Sequence, residues 1–348
     1  MFGDWRKHRQ KRVIALAITT LFLSALMWAE ERETVRIAYF PNITHAQAIV
    51  GRVRGTFQEK LGADISLDWK IFNAGPSVIE AIFAGHLDIA YVGPNPAMNG
   101  YVKSDGEALC VIAGAATEGS ALVVRREAAL ENREDFRGRR VAAPQVGNTQ
   151  DVALRSWFMD GGIKTQEVGG DVRVISADGA TIVTLFSKGE IDGAFVAEPW
   201  VSVLEQREGG RIILMDSELL PGRRYVTTLV VVRKKFLDGH PDKVKGFLQA
   251  HLEITDWINT HRGEAKRIVG LELEKLTYNA LPEAILDSAF ERVRFDWDPL
   301  QETVMKQGHA AYRLGYLKKE PNLSGLFDLQ LLDEVLTERK QKAIETLS

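Results

Sequence analysis

The stretch Gly85-His86-Leu87-Asp88-Ile89-Ala90-Tyr91-Val92 returns 104 positions later as Gly189-Glu190-Ile191-Asp192-Gly193-Ala194-Phe195-Val196. Each copy reads as a glycine turn followed by a short apolar strand. The same offset holds upstream. Arg36-Ile37-Ala38 matches Arg140-Val141-Ala142, Ile71 matches Ile175 and Gly75 matches Gly179. Candidate helix starts coincide as well, Thr44 with Asn148 and Ser77 with Thr181. Of the nine identities over 57 aligned positions, eight cluster at strands and turns, and no gap is needed. Two readings account for this: an internal duplication, or the likeness that any two βαβαβ units share. Both predict two similar α/β lobes, centred near residues 35–115 and 125–215.

Within the first copy, residues 35–40 (VRIAYF) and 65–72 (ISLDWKIF) read as strands, and 87–92 (LDIAYV) as a third. Thr44 and Gln47 stand at capping-box spacing before a helix expected to run to Leu61-Gly62. Gly75-Pro76-Ser77 opens another helix, with Pro76 in its first turn and Ser77 and Glu80 at the same spacing. A βαβαβ order implies a parallel sheet with right-handed crossovers. Residues 225–233 (YVTTLVVVR) form an apolar run that echoes 121–125 (ALVVR). Two such runs flanking the second lobe make a two-strand hinge, the geometry for closing on a ligand. The expected division is residues 34–120 with 225–348 in one lobe and 121–224 in the other. Pro241 starts a long amphipathic helix carrying Val244, Phe247, Leu248, Leu252 and Ile258. Residues 263–348 carry no motif and are expected to pack as helices on the first lobe.

Composition narrows the function. The chain has 348 residues, is 45% hydrophobic and 26% charged, and carries a net charge of −3. That is a globular profile of about two domains and not the basic balance of a nucleic-acid binder. The one cysteine, Cys110, excludes an intrachain disulfide and a multi-cysteine metal site, and reads as a small buried hydrophobe. Arg6, Lys7, Arg9, Lys11 and Arg12 precede an uncharged stretch over residues 13–29, closed by Glu30-Glu31. This is the pattern of a secretory signal peptide at residues 1–29, an uncleaved N-terminal anchor being the alternative. Removing it takes away five cations and one carboxylate, so the net charge moves from −3 to −7.

In open parallel sheets a ligand sits beyond the carboxyl ends of the strands, where the next helices begin. Here those places are residues 41–45 (PNITH), 73–77 (NAGPS), 93–96 (GPNP), 146–150 (VGNTQ) and 177–179 (ADG). None contains Lys or Arg. Backbone N–H groups, hydroxyls and amides at helix starts hold an anion without a cation. Each such residue alone is equally well a helix cap; their convergence from both lobes is what points to a cleft.

The runs 39–47 (YFPNITHAQ), 72–77 (FNAGPS), 91–97 (YVGPNPA), 144–155 (PQVGNTQDVALR) and 197–200 (AEPW) together resemble one family. It is the substrate-binding proteins of ABC importers in the nitrate/sulfonate/taurine group, most closely the aliphatic-sulfonate branch. The resemblance runs to about residue 262. It implies the type II periplasmic-binding-protein fold, an extracytoplasmic location, a monomer without cofactor or metal, and delivery of a small organic anion to an ABC permease and its ATPase. It also implies that the cleft is lined by Asn42, Thr44, His45, Gly75, Ser77, Pro94, Asn95, Asn148, Thr149, Gln150, Asp178, Glu198, Trp200 and Thr227.

A sulfonate is a monoanion that neutral donors can hold, whereas a phosphonate or phosphate dianion would be expected to find an Arg fork. Relatives take nitrate, taurine, bicarbonate or thiamine-precursor pyrimidines, and these stay open. Glu198 has two readings, an acceptor for a ligand amine or a carboxylate that holds a turn or pairs with Arg223 or Arg224. Trp200 either covers an aliphatic tail or packs in the core. Of Thr227 and Thr228 only one should face the ligand, because strand side chains alternate. Two other classes remain: an enzyme on the same fold, for which His45 and His86 are the only histidines near the cleft, and a membrane-anchored ligand sensor.

Overall fold

Two runs of parallel strands with helical crossovers form the frame in the computed structural model, which describes residues 33–220, 222–318 and 320–340. The expected leader, residues 1–29, lies outside the described residues. The first run comprises β1 (Glu33–Tyr39), α1 (Ala46–Arg54), α2 (Thr56–Leu61), β2 (Ile65–Ile71), α3 (Gly75–Phe83), β3 (Ile89–Val92), α4 (Pro94–Lys103) and β4 (Leu109–Glu118). The chain then crosses into β5 (Ser120–Val124), β6 (Arg140–Ala143), α5 (Thr149–Asp160), β7 (Arg173–Ser176), α6 (Gly179–Ser187), β8 (Gly193–Ala197) and β9 (Arg211–Met215). It returns through β10 (Val226–Arg233) and continues with α7 (Pro241–Thr260), α8 (Arg262–Thr277), α9 (Glu283–Arg292), β11 (Val293–Phe295), α10 (Gln301–Arg313) and α11 (Gln330–Glu338).

The strand order is β11-β4-β10-β3-β1-β2 in one sheet and β7-β6-β8-β5-β9 in the other. The crossing strands sit inside the sheets. β10 runs antiparallel between β3 and β4, and β5 runs antiparallel between β8 and β9. Their uniform hydrophobicity follows, since both faces are covered. Val230 and Val232 enter one core layer while Leu229 and Val231 enter the other. Leu122 and Val124 likewise oppose Ala121 and Val123. Between β4 and β5 the turn is made by Glu118 and Gly119, both at positive φ. Cys110 lies buried in β4, where burial pushes its thiol up to about 12.

The 104-residue offset recurs at the level of single bonds. Asp88 accepts from the Arg36 backbone N–H at 3.0 Å, and Asp192 accepts from that of Arg140 at 2.8 Å. The Arg36 guanidinium also donates to the Gly85 carbonyl at 2.7 Å, and that of Arg140 to the Gly189 carbonyl at 3.1 Å. Each clasp pins the start of a third strand to a first strand, at the middle of β1 and at the start of β6, fixing parallel register. The first clasp is the stronger. Asp88 is fully buried and also takes Arg233 at 2.6 Å, which ties the returning strand β10 into the same corner.

Four expectations need correction. The helix expected from Thr44 to Leu61 is a 3₁₀ turn (Ile43–His45), then α1 and α2 separated at Gly55, whose φ of +76° breaks the helix. The capping box is not formed, because the Gln47 amide is buried and donates to the Ala115 carbonyl instead. The Ser77–Glu80 box is absent too, since α3 starts at Gly75 with Ala74 in the capping position. The C-terminal stretch packs on both sheets. In α9, Leu286, Ala289 and Phe290 enter the core beneath the first sheet while Ile285 enters that of the second.

The unequal burial of the two clasps gives a measurable contrast. Asp88→Asn should cost about 2–4 kcal/mol, because it leaves two arginines without their carboxylate. Asp192→Asn, at a site whose side chain is 14% exposed, should cost clearly less. Urea unfolding of both variants checks this, and equal midpoints would contradict it.

Candidate functional site

The helix starts that follow β3, β6 and β7 face one another across the gap between the sheets and enclose a cavity of about 360 Å³. Its lining draws on both sheets. Asn42, Thr44, His45 and Thr227 come from the first, and Asn148, Thr149, Gln150, Asp178 and Trp200 from the second. The cleft is narrow where they meet. A Cβ at Gly93 would lie 2.3 Å from the Thr149 hydroxyl, so the close approach of α5 to the end of β3 requires glycine there. Gly179 serves the Trp200 indole in the same way, at 2.3 Å. Trp200 therefore lies flat on the start of α6 with an edge on the cavity.

Among the described residues no lysine or arginine lines this space. Donors come from neutral groups. Asn148 occupies the capping position of α5, yet its side chain makes no cap bond. The first N–H groups of α5 thus point toward the cavity without a side-chain partner, and the dipole of a twelve-residue helix stands behind them. The Thr149 hydroxyl is buried and unpaired. His45 is buried, and its Nδ1 accepts the Phe40 backbone N–H at 3.2 Å. That bond assigns the proton to Nε2. Burial lowers the His45 pKa to about 3, so the ring is a neutral donor at ordinary pH. Phe40 stacks on it, ring centroids 4.5 Å apart, and holds its plane.

Other lining groups are already committed. The Thr227 hydroxyl donates to the carbonyls of Ala116 and Glu118, both at 3.1 Å, and so presents lone pairs to the cavity. Thr228 points to the other face and does not line it. The Gln150 amide donates to the Ser120 hydroxyl at 3.1 Å. Asp178 is the one carboxylate in the lining among the described residues. It caps α6 by accepting from the Thr181 N–H and hydroxyl at 3.0 and 2.8 Å. Burial would raise its pKa, but these hydrogen bonds outweigh burial and hold the carboxyl below the ordinary value.

Five of the expected site residues stand outside the lining. Gly75 lies against Pro96, and a Cβ there would meet that ring at 2.3 Å. Pro94 and Asn95 are buried in the first turn of α4, where the Asn95 amide points at the Gln307 carbonyl at 3.4 Å. The Ser77 hydroxyl faces Gln145 of the opposite lobe at 3.4 Å. Glu198 is fully buried and turned away from the cavity. Its carboxylate accepts from the Ser202 N–H and hydroxyl at 3.1 and 2.9 Å, and from Arg292 at 2.9 Å. It holds a turn and pairs with an arginine, but with Arg292 of the C-terminal region and neither Arg223 nor Arg224. Conversely, Leu276 and Thr277 at the end of α8 line the cavity. No motif marks them, and they come within reach only because α8 folds back over α1.

Comparison with known proteins places this geometry. The profile of the NMT1-like family matches residues 28–271. The taurine-binding periplasmic protein of Escherichia coli (strain K12) is 29% identical over 246 residues, covering 69% of this chain and 72% of that protein. The alkanesulfonate-binding protein SsuA from Xanthomonas axonopodis pv. citri, solved with MOPS, superposes with a TM-score of 0.71 at 16% identity over 86% of this chain and 100% of its own. The periplasmic nitrate-binding protein NrtA from Synechocystis PCC 6803 does so with a TM-score of 0.74 at 17% identity, over 88% and 89%. At such identities the two structures speak to the fold, which is the type II periplasmic-binding-protein fold expected from the sequence.

The buried neutral histidine has a consequence for stability. An unfolded chain protonates His45 near pH 6.5, while the folded chain resists protonation until about pH 3. Stability therefore falls as pH drops through that window, by about 2 kcal/mol between pH 6.5 and 5. His251, held near 4 by burial, acts in the same direction. Chemical unfolding at pH 7 and pH 5 should show a smaller acid loss for His45→Gln than for the parent chain. An unchanged difference would contradict the neutral, buried assignment.

Proposed function

The chain belongs to the NMT1-like family, and on that premise we propose that its cleft captures an aliphatic sulfonate and closes on it for delivery to an ABC permease with its ATPase. At the coarser level it is a periplasmic solute-binding protein of the nitrate/sulfonate/taurine family. One observation carries the finer reading. The anion site is built from a helix start, the Thr149 hydroxyl and the His45 Nε2–H, with no cation among the described lining residues. Such donors suit a monoanion, and a dianion would lose more hydration than they return. A cavity of about 360 Å³ is at the small end of organic ligand sites. It leaves room beyond the anionic head for a short tail, against which Ile71, Trp200 and Leu276 present apolar surface.

The carboxylate in the lining refines the tail. With Glu198 buried in its ion pair, the acceptor for a ligand amine is Asp178, which retains free lone pairs after capping α6 and stays ionised. An ω-amino sulfonate such as taurine would place its ammonium there. The mechanism is capture without bond chemistry. Ligand binding at one lobe is followed by closure, which only the contacts added by the second lobe can favour. Backbone bonds such as Ile43 N–H to the Glu198 carbonyl, at 3.2 Å, already span the lobes.

The test is calorimetry and thermal shift on residues 30–348 against taurine, ethanesulfonate, longer alkanesulfonates, nitrate, bicarbonate, sulfate, a phosphonate and a pyrimidine. A true ligand at 100 times its dissociation constant adds about 2.7 kcal/mol of stability. Thr149→Ala should weaken sulfonate binding by about 1–3 kcal/mol with folding intact. Asp178→Asn, which keeps the helix cap, should weaken taurine and leave ethanesulfonate within about twofold. Stabilisation by nitrate or the pyrimidine alone would overturn the sulfonate reading.

A further inference from the structure

We infer that Leu276 and Thr277, at the C-terminal end of α8, form the wall that limits how long a ligand tail the cleft accepts. The inference rests on the reading of the cleft as a sulfonate site.

The topology gives the cavity two ends. The crossings join β4 to β5 and β9 to β10, so the hinge lies beside those strands, while β2 and β7 are the outer strands at the opposite edges of their sheets. Gly93, at the end of β3, and Thr227, on β10, belong to the hinge side, and there Thr149 packs against Gly93. Ile71, the last residue of edge strand β2, belongs to the outer side, as does Gly179 after β7 with Trp200 upon it. The unpaired neutral donor of Thr149 is therefore hinge-side, and apolar surface gathers toward the mouth. An anionic head seated on the donors sends its tail outward.

Leu276 is anchored at that outer end. Glu272, one turn earlier in α8 and only 5% exposed, pairs with Arg52 at 2.9 Å. Arg52 also donates to the Tyr39 hydroxyl at 2.6 Å, and Tyr39 is the register partner of Ile71. The end of α8 is thus tied to the same strand ends that carry Ile71. Leu276 is packed against the first-lobe core as well, so the wall is backed by protein and does not swing freely. It also lies beyond the part of the chain that the family profile matches, which stops at residue 271. Tyr278 follows at positive φ and is almost fully exposed at the rim.

Affinities for a series from ethanesulfonate to octanesulfonate, measured by calorimetry on the parent chain, Leu276→Ala and Leu276→Phe, test the inference. The parent should bind the short members and lose affinity beyond a definite length. Leu276→Ala should shift that limit to longer chains, raising the ratio of long-chain to short-chain affinity by about tenfold. Leu276→Phe should move it the other way. Thermal melts establish that each variant is folded. If Leu276→Ala melts too early to be read, Leu276→Phe and Thr277→Val carry the comparison. A parent chain that binds sulfonates with a ratio unmoved by these substitutions overturns the wall and leaves the sulfonate site standing. A parent chain that binds no sulfonate overturns the sulfonate site itself, and with it the assignment of a tail limit.

Discussion

Everything in this molecule depends on the two crossings between its sheets, from β4 into β5 and from β9 into β10. β5 enters the second sheet directly from the edge region of the first, and β10 returns into the middle of the first directly after the second is complete. Each runs antiparallel among parallel neighbours and is covered on both faces. The first sheet is complete only after the chain has built the second, because β10 follows β9. The lobes are therefore joined through the hydrogen-bonded interior of both sheets and not by a loose linker. Their parallel strands end facing one cleft, and the helix starts that follow those strands are brought together there.

That arrangement explains how an anion site can do without a basic residue. The partial positive charge of a helix start is useful only where water is excluded and the N–H groups are not already capped. Both conditions are met at α5. Asn148 leaves the first turn uncapped, and Thr149 is buried against Gly93 of the other lobe. α6 differs, because Asp178 caps it. One helix start is open to an anion and the other carries a negative charge, so the cleft is polarised although the lobes are built alike.

The C-terminal region gives the two-lobed frame its bracing. α9 inserts side chains into both cores, and Arg292 at its end reaches Glu198, Ser202 and Glu205 of the second lobe. Glu198 thereby becomes a joint: its carbonyl accepts from Ile43 and its carboxylate is held by Arg292, both from the first lobe. Ala197 and Trp200, which line the cavity on either side of Glu198, are thus fixed by contacts made outside the cavity. The turn after α10 adds a further tie, the Tyr316 hydroxyl donating to Asp151 of α5 at 2.8 Å.

The local order of the chain was legible from the residues alone. Glycine turns, short apolar strands and the 104-residue recurrence specify two βαβαβ units, because strand and turn preferences act over a few neighbours. The recurrence even marked Asp88 and Asp192, though only the folded sheets show these carboxylates clasping the first strands. Neutral helix starts such as those at Asn148 and Thr149 could be read as anion donors from residue type and position. Tertiary structure alone decided the rest. Whether Glu198 meets ligand or Arg292 depends on a partner 94 residues away. Ser77 lies in the first turn of α3 and Asn95 in that of α4, and their partners Gln145 and Gln307, far away in sequence, decide that neither lines the cavity. Leu276 and Thr277 carry no pattern of their own, and only the packing of α8 over α1 brings them to the cavity. Such contacts are set by long-range packing and desolvation, which no window of sequence contains.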